Sequence, residues 1–192
     1  MRRGLVILLV VLGIVVLVGV SIYGSFVSAQ NQLVAKDESV KSDWSQVDIQ
    51  LQRRADLIPN LVETVKGYAK QETTVFGDIA NARAGLLNAH GPAAKIEANG
   101  KLDSAIGRLL MISENYPQLK SNDQFLRLQD ELSGTENRIS VARRRYNETL
   151  RDYNTYVRKF PTSIWAGMLS FHANEAYFEA SASAKTVPTV KF

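Results

Sequence analysis

The stretch "LQRRADLIPNLVETV" occupies Leu51–Val65, and whether it makes one helix or two decides the fold. Apolar or small residues stand at Trp44, Val47, Leu51, Ala55, Ile58, Val62, Val65 and Ala69, in steps of three and four. Such steps line one face of a helix. Pro59 interrupts them. It has no backbone N–H and its ring strikes the preceding turn, at a cost of about 3 kcal/mol in a helix interior. The residue before a proline is also biased away from helix, so a break near Ile58 is the competing reading. Two helices joined by a turn would have no reason to stay in phase, yet the stripe keeps its phase across Pro59. The expectation is one helix that bends there, with Ile58 and Val62 on the buried side. The carbonyl of Ala55 then lacks its usual donor, and burial of the stripe must offset the loss.

The C-terminal half carries a second, longer stripe. Phe125, Leu128, Leu132, Thr135, Ile139, Ala142, Tyr146, Thr149, Tyr153 and Tyr156 recur almost throughout at helical spacing. Ser121 followed by Gln124 fits a capping box, and Pro161 ends the run. A helix from Asn122 to Phe160 would be about 58 Å long at ~1.5 Å per residue. It needs partners of similar length. Only the first helix and the region 71–115 can supply them. Gln71–Ala89 reads as helix with Val75, Ile79 and Ala82 inward. In "NAHGPAAK" Gly91 suits a helix end and Pro92 the start of the next. Residues 93–115 follow at looser spacing, and "ENYPQLKSND" turns the chain. Gly134 is costly inside so regular a helix; it either admits another backbone or is merely tolerated.

The N-terminus belongs to a different environment. From Gly4 to Val27 there are 24 residues without a charge, where about 20 span a bilayer core. The leading reading is a transmembrane helix. A cleaved signal peptide is the rival, since Val27-Ser28-Ala29 resembles a cleavage site, but the apolar stretch exceeds a usual signal core. Arg2 and Arg3 before the span place the N-terminus in the cytoplasm by the positive-inside rule. Residues 1–29 are therefore read as a cytoplasmic stub and anchor, and residues 30–192 as a helical bundle domain outside the cytoplasm. The expected fold class is all-α, an N-terminal transmembrane helix followed by an elongated antiparallel bundle of three to four long helices.

Composition narrows the function. There is no Cys, hence no disulfide and no thiolate chemistry. Setting aside Arg2 and Arg3 lowers Lys and Arg from 23 to 21 against 19 acids, leaving +2. A nucleic-acid binder usually concentrates basic charge on one face. Arg143, Arg144 and Arg145 spread around a helix instead, and the expectation is no nucleic-acid partner. His90 and His172 are the two histidines, and neither has a Glu three residues before it, as a di-iron bundle requires. No phosphate loop or nucleophile elbow occurs. Asp130, Glu131, Glu136, Glu148 and Asp152 read as a solvated helix face. No catalytic, cofactor-binding or metal-binding residue is expected, and no cofactor. In "FPTSIWAGMLSF" five apolar side chains crowd together at Ile164, Trp165, Met168, Leu169 and Phe171. They read either as a cap on the bundle or as a partner or membrane-surface contact.

The long motifs carry a resemblance. "QLVAKDESVKSDWSQVDIQLQRRADLIPNLVETVKGYAKQE" and "ENYPQLKSNDQFLRLQDELSGTENRISVARRRYNETLRDYNTYVRKFP" resemble the two signature helices of the LemA family. Phe178, Pro188 and Phe192 suit that family's ending. The chain departs from the pattern at Gln30, where a Tyr often precedes the Asn-x-Leu-Val segment. The resemblance implies a bacterial membrane protein with one N-terminal span and long bundled helices, and brings no catalytic residues. The expected function is a non-enzymatic, single-pass scaffold or adaptor of the cell envelope in the bacterial inner membrane. Its partners are the lipid bilayer and either other envelope proteins or further copies of itself. The alternative is a sensory bundle that binds a small ligand between helices.

Overall fold

The structure is a computed structural model. It describes residues 2–179, with the side chains of residues 2, 5 and 6 left out. Pro188 and Phe192 lie outside the described residues. The helices are α1 (Arg2–Lys66), α2 (Thr73–Asn88), α3 (Pro92–Ile112), α4 (Pro117–Lys120), α5 (Asp123–Arg158) and α6 (Thr162–Met168), with a 3₁₀ turn at Ser113–Asn115. The described secondary structure is all helical, as the periodicities predict.

α1 runs through Pro59 without interruption. The chain divides into two compact units. The larger comprises Ser42–Glu148 and the segment that begins at Glu175. Here α1 and α5 are antiparallel, since Asp43 pairs with Arg145 and Arg54 with Glu136. α2 and α3 form a second antiparallel pair, with Asp78 of α2 bridged to Arg108 of α3. The core is the expected stripe of α1, with Val47, Leu51, Ala55, Ile58 and Val65 all buried. Leu61 is fully buried and Val62 only half-buried, so the inward face is turned slightly from the expected line. On α2 the buried positions are Phe76, Ile79 and Leu86, with Val75 and Ala82 at the margin. Gly91 sits at the start of α3 with φ +79°, a left-handed conformation that glycine adopts without strain.

The expected capping box is corrected. The Asn122 side-chain oxygen accepts from the Phe125 amide at 2.9 Å, which makes Asn122 the cap of α5. The Ser121 hydroxyl turns back to the carbonyls of Pro117 and Gln118. Gly134 admits no close backbone, for a Cβ built there meets nothing within 4 Å.

The smaller unit contains residues up to Lys41 and Thr149–Asn174. Its α1 portion begins as an apolar helix with a mean hydropathy of 2.8 in its best window, long and apolar enough to cross a membrane. Ile7–Leu12, Leu17 and Tyr23 are all exposed. Beyond it Ala29, Leu33 and Val40 are buried, as are Leu150, Tyr153, Val157 and Ala166. Lys36 lies over the Tyr156 ring, 5.7 Å from its centroid.

Candidate functional site

The polar centre of the larger unit is built on Arg54. This residue stands three after Leu51 and four before Ile58, so helical geometry projects it from the buried stripe. Its side chain is only 8% exposed. Nη1 lies 2.5 Å from Asp103 Oδ1 of α3 and 2.6 Å from Glu136 Oε2 of α5. Arg143 closes the cluster at 3.8 Å from Asp103 Oδ2 and 3.7 Å from Glu136 Oε1. Two cations and two carboxylates thus neutralise each other across three helices. The Asn99 amide adds a 3.0 Å hydrogen bond to Asp103 Oδ2. Burial holds the Asp103 carboxyl above the usual carboxylate range; Arg54 pulls it down, Glu136 pushes it up, and Arg143 and Asn99 pull it down. Desolvating such a cluster is expensive, so its return is better sought in fixing which helices meet, and in what register, than in stability.

An aromatic cluster adjoins it. The Arg143 guanidinium lies 5.0 Å from the centre of the Phe178 ring. Phe178 stacks on Trp44 at 6.1 Å and meets Tyr146 edge-on at 6.0 Å, while Trp44 and Tyr146 stand 5.3 Å apart. Tyr146 is fully buried, and its hydroxyl has no hydrogen-bond partner among the described residues. Burial, with Tyr177 adding to it, pushes its phenol up to about 12.

Phe178 is held in place through its backbone. The Asn147 amide donates to the Phe178 carbonyl at 2.8 Å, and its oxygen accepts from the Phe178 N–H at 3.0 Å. In the smaller unit Asn154 makes the same pair of bonds with Asn174, at 2.7 and 2.9 Å. There the Tyr153 hydroxyl also donates to the His172 carbonyl at 2.9 Å. Each amide supplies one donor and one acceptor, so it replaces the strand an extended backbone would otherwise need.

Between α1 and α5 of the larger unit runs an open groove of about 400 Å³, lined by Gln46, Gln50, Asn137, Arg138, Val141, Ala142 and Arg145. The side-chain oxygen of Gln50 is buried without a partner among the described residues. A second groove of about 320 Å³ lies along Arg53, Asp130, Glu131, Gly134 and Arg138.

The sequence-level candidates are dispersed. His90 lies exposed in the larger unit and His172 exposed in the smaller. No group of three or more His, Cys, Asp or Glu is placed to hold a metal among the described residues. Asp130 and Glu131 face the second groove, but Glu136 is no mere solvated acid, since it belongs to the ion cluster. The basic run also divides. Arg143 turns inward and Arg145 reaches Asp43 at 2.9 Å, while Arg144 stays exposed. The signal for Arg54 was its place on the stripe of α1; Asp103 had none.

The LemA family model matches residues 43–192. Among curated proteins, Protein LemA of Metamycoplasma hominis is 25% identical over 58% of this chain and 51% of its own. Magnetosome protein MamQ of Magnetospirillum gryphiswaldense and magnetosome protein MamQ 1 of Paramagnetospirillum magneticum are each 26% identical, over 53% of this chain and 47% of theirs. The chain spans about half the length of the curated relatives it matches. The family match takes in the ion cluster, the aromatic cluster and both asparagine clamps, and the chain belongs to the LemA family.

Proposed function

We propose that the protein is a non-catalytic scaffold anchored by α1 in the bacterial inner membrane, with its helical units on the extracytoplasmic side. One observation carries this reading. An apolar helix exposed on all sides continues without a break into a helix whose buried Arg54 is charge-paired with Asp103 and Glu136, although Arg54 Nε, Asp103 Oδ1 and Arg143 Nε have no hydrogen-bond partner among the described residues. An all-round apolar face calls for lipid. Arg54, Asp103, Glu136 and Arg143 are occupied in cross-linking three helices, which suits a rigid platform for envelope proteins. Arg2 and Arg3 before the apolar segment support this orientation. Crosslinking in intact membranes followed by purification in gentle detergent is expected to recover specific envelope partners. Recovery of none in several detergents would defeat the reading. Protease added to spheroplasts is expected to digest the helical units; digestion that waits for the inner membrane to be opened would reverse the orientation.

A second reading is a ligand-binding bundle. It is favoured by the groove between α1 and α5 and by the unpartnered oxygen of Gln50. A thermal-shift screen separates the two, because a ligand of the folded state raises the melting temperature.

A further inference from the structure

α6 is apolar on the side where a surface helix should be polar. Thr162 and Ala166, four residues apart, are its buried side. Ile164 and Met168 project from the opposite side and are 52% and 70% exposed, and Phe160 just before the helix is 76% exposed. A surface helix normally turns charged or polar groups outward. The position of α6 explains the exception. Trp165 meets Phe26 edge-on, with ring centroids 5.4 Å apart. Phe26 is the last but one residue of the uncharged stretch Gly4–Val27. α6 is therefore fastened to α1 where the apolar segment ends. Tyr23, exposed and one turn before Phe26, is a side chain that favours the headgroup level of a bilayer, while Trp165 is half-buried with its indole N–H inside the protein. Lys159, exposed, directly precedes Phe160 in the chain.

We propose that the outer face of α6, with Phe160, Ile164 and Met168, lies in the boundary between headgroups and acyl chains, in the leaflet from which α1 emerges. This rests on the reading of α1 as a membrane span. Lipid is the occupant to which the geometry points. Three side chains make a small patch against the roughly 800 Å² per partner that a stable protein interface buries. A membrane contact needs far less, because the anchor already holds α6 at the surface and makes the second contact intramolecular.

The absence of cysteine allows a direct test. Ile164→Cys, Met168→Cys and, as a control on exposed α5, Asp152→Cys are made in the full chain. Each is labelled with a polarity-sensitive fluorophore and reconstituted into phosphatidylcholine–phosphatidylglycerol vesicles. The labels at 164 and 168 are expected to show blue-shifted emission, quenching by lipids spin-labelled near the headgroup, and loss of iodide quenching. The label at 152 is expected to behave oppositely. Because a fluorophore can itself seek lipid, a probe-free measurement accompanies it. In Trp44→Phe the remaining Trp165 is expected to be quenched by brominated lipid. Iodide quenching at 164 and 168 equal to that at 152, in protein that floats with the vesicles, overturns the proposal and leaves the anchor standing. Protein that does not float overturns both. Shielding that vanishes when the protein is diluted with excess lipid identifies a second copy as the occupant and also overturns it.

Discussion

The Arg83 Nε–H donates to the carbonyl oxygen of Ala55 at 2.8 Å. This is the carbonyl that Pro59, four residues on, leaves without a donor. α1 thus crosses its proline with a hydrogen bond supplied from α2, where burial of the stripe alone had been expected to compensate. Hydrogen bonds to charged groups contribute about 1.5–3 kcal/mol. Arg83→Ala is predicted to cost about that much in the native background and clearly less in Pro59→Ala, where residue 59 regains an N–H for the same carbonyl. Urea melts of the four chains give the coupling. Equal losses in both backgrounds would refute it.

Tyr146→Phe is predicted to raise stability by about 1 kcal/mol, because it removes a buried hydroxyl that has no partner among the described residues. The native Tyr146 phenol is pushed up to about 12 by burial first and Tyr177 second. A phenol raised on folding favours the folded state below its unfolded value near 10 and loses that advantage as pH rises toward 12. Melting curves at pH 9 to 12 should therefore fall for the native chain and lack this component in the Phe variant.

Asp103 imposes the analogous slope at lower pH. Its carboxyl is raised on folding, chiefly by burial. The folded state then holds the proton more tightly than the unfolded chain, so Asp103's contribution is most favourable below about pH 4 and declines as pH rises through the raised folded value. The melting temperature of the native chain minus that of Asp103→Asn is predicted to be largest at low pH and to shrink toward neutrality. A difference that grows with pH would show that Arg54 outweighs burial.

Asn147→Ala and Asn154→Ala each remove two hydrogen bonds to extended backbone. Each is predicted to cost about 1–3 kcal/mol, because the backbone partners are left unpaired. Amide exchange should quicken at Phe178 in the first variant and at Asn174 in the second. Protection unchanged at both would show that the clamps do not hold the segment.

Gly134→Ala is predicted to stabilise α5 by about 1 kcal/mol from helix propensity, since a Cβ there meets nothing within 4 Å. If the variant folds more stably yet loses partner capture in the crosslinking assay, the groove beside Gly134 is a contact surface.

The stripes of α1 and α5 were legible because a period of three and four residues over many turns has few alternatives. It carried α1 through Pro59 and placed Ile58, Ile139 and Tyr146 inside. What stayed hidden depends on side chains reaching between elements. Nothing local marks Arg83 as the donor for Ala55, or Asp103 as the partner of Arg54. The capping residue was missed by one position because Ser121 and Asn122 are both good caps, and tertiary context selects between them: the Asn122 amide also reaches the Tyr68 hydroxyl at 3.0 Å. Nothing local marks Asn147 and Asn154 as clamps, because the backbone they bind returns only at Phe178 and Asn174.

The unbroken passage of α1 from Val27 to Leu33 and Val40 has a mechanical consequence. The 24 residues of Gly4–Val27 are about 36 Å long as a helix, against a hydrocarbon thickness of about 30 Å. A helix too long for its bilayer leans. On the proposed anchoring of α1, the helix has no hinge where it would leave the bilayer, so the lean would pass into the α1 segment beyond it, and α6, held against Phe26, would move with it. In that arrangement bilayer thickness would be converted into an angle, and the smaller unit would be the pointer of the gauge.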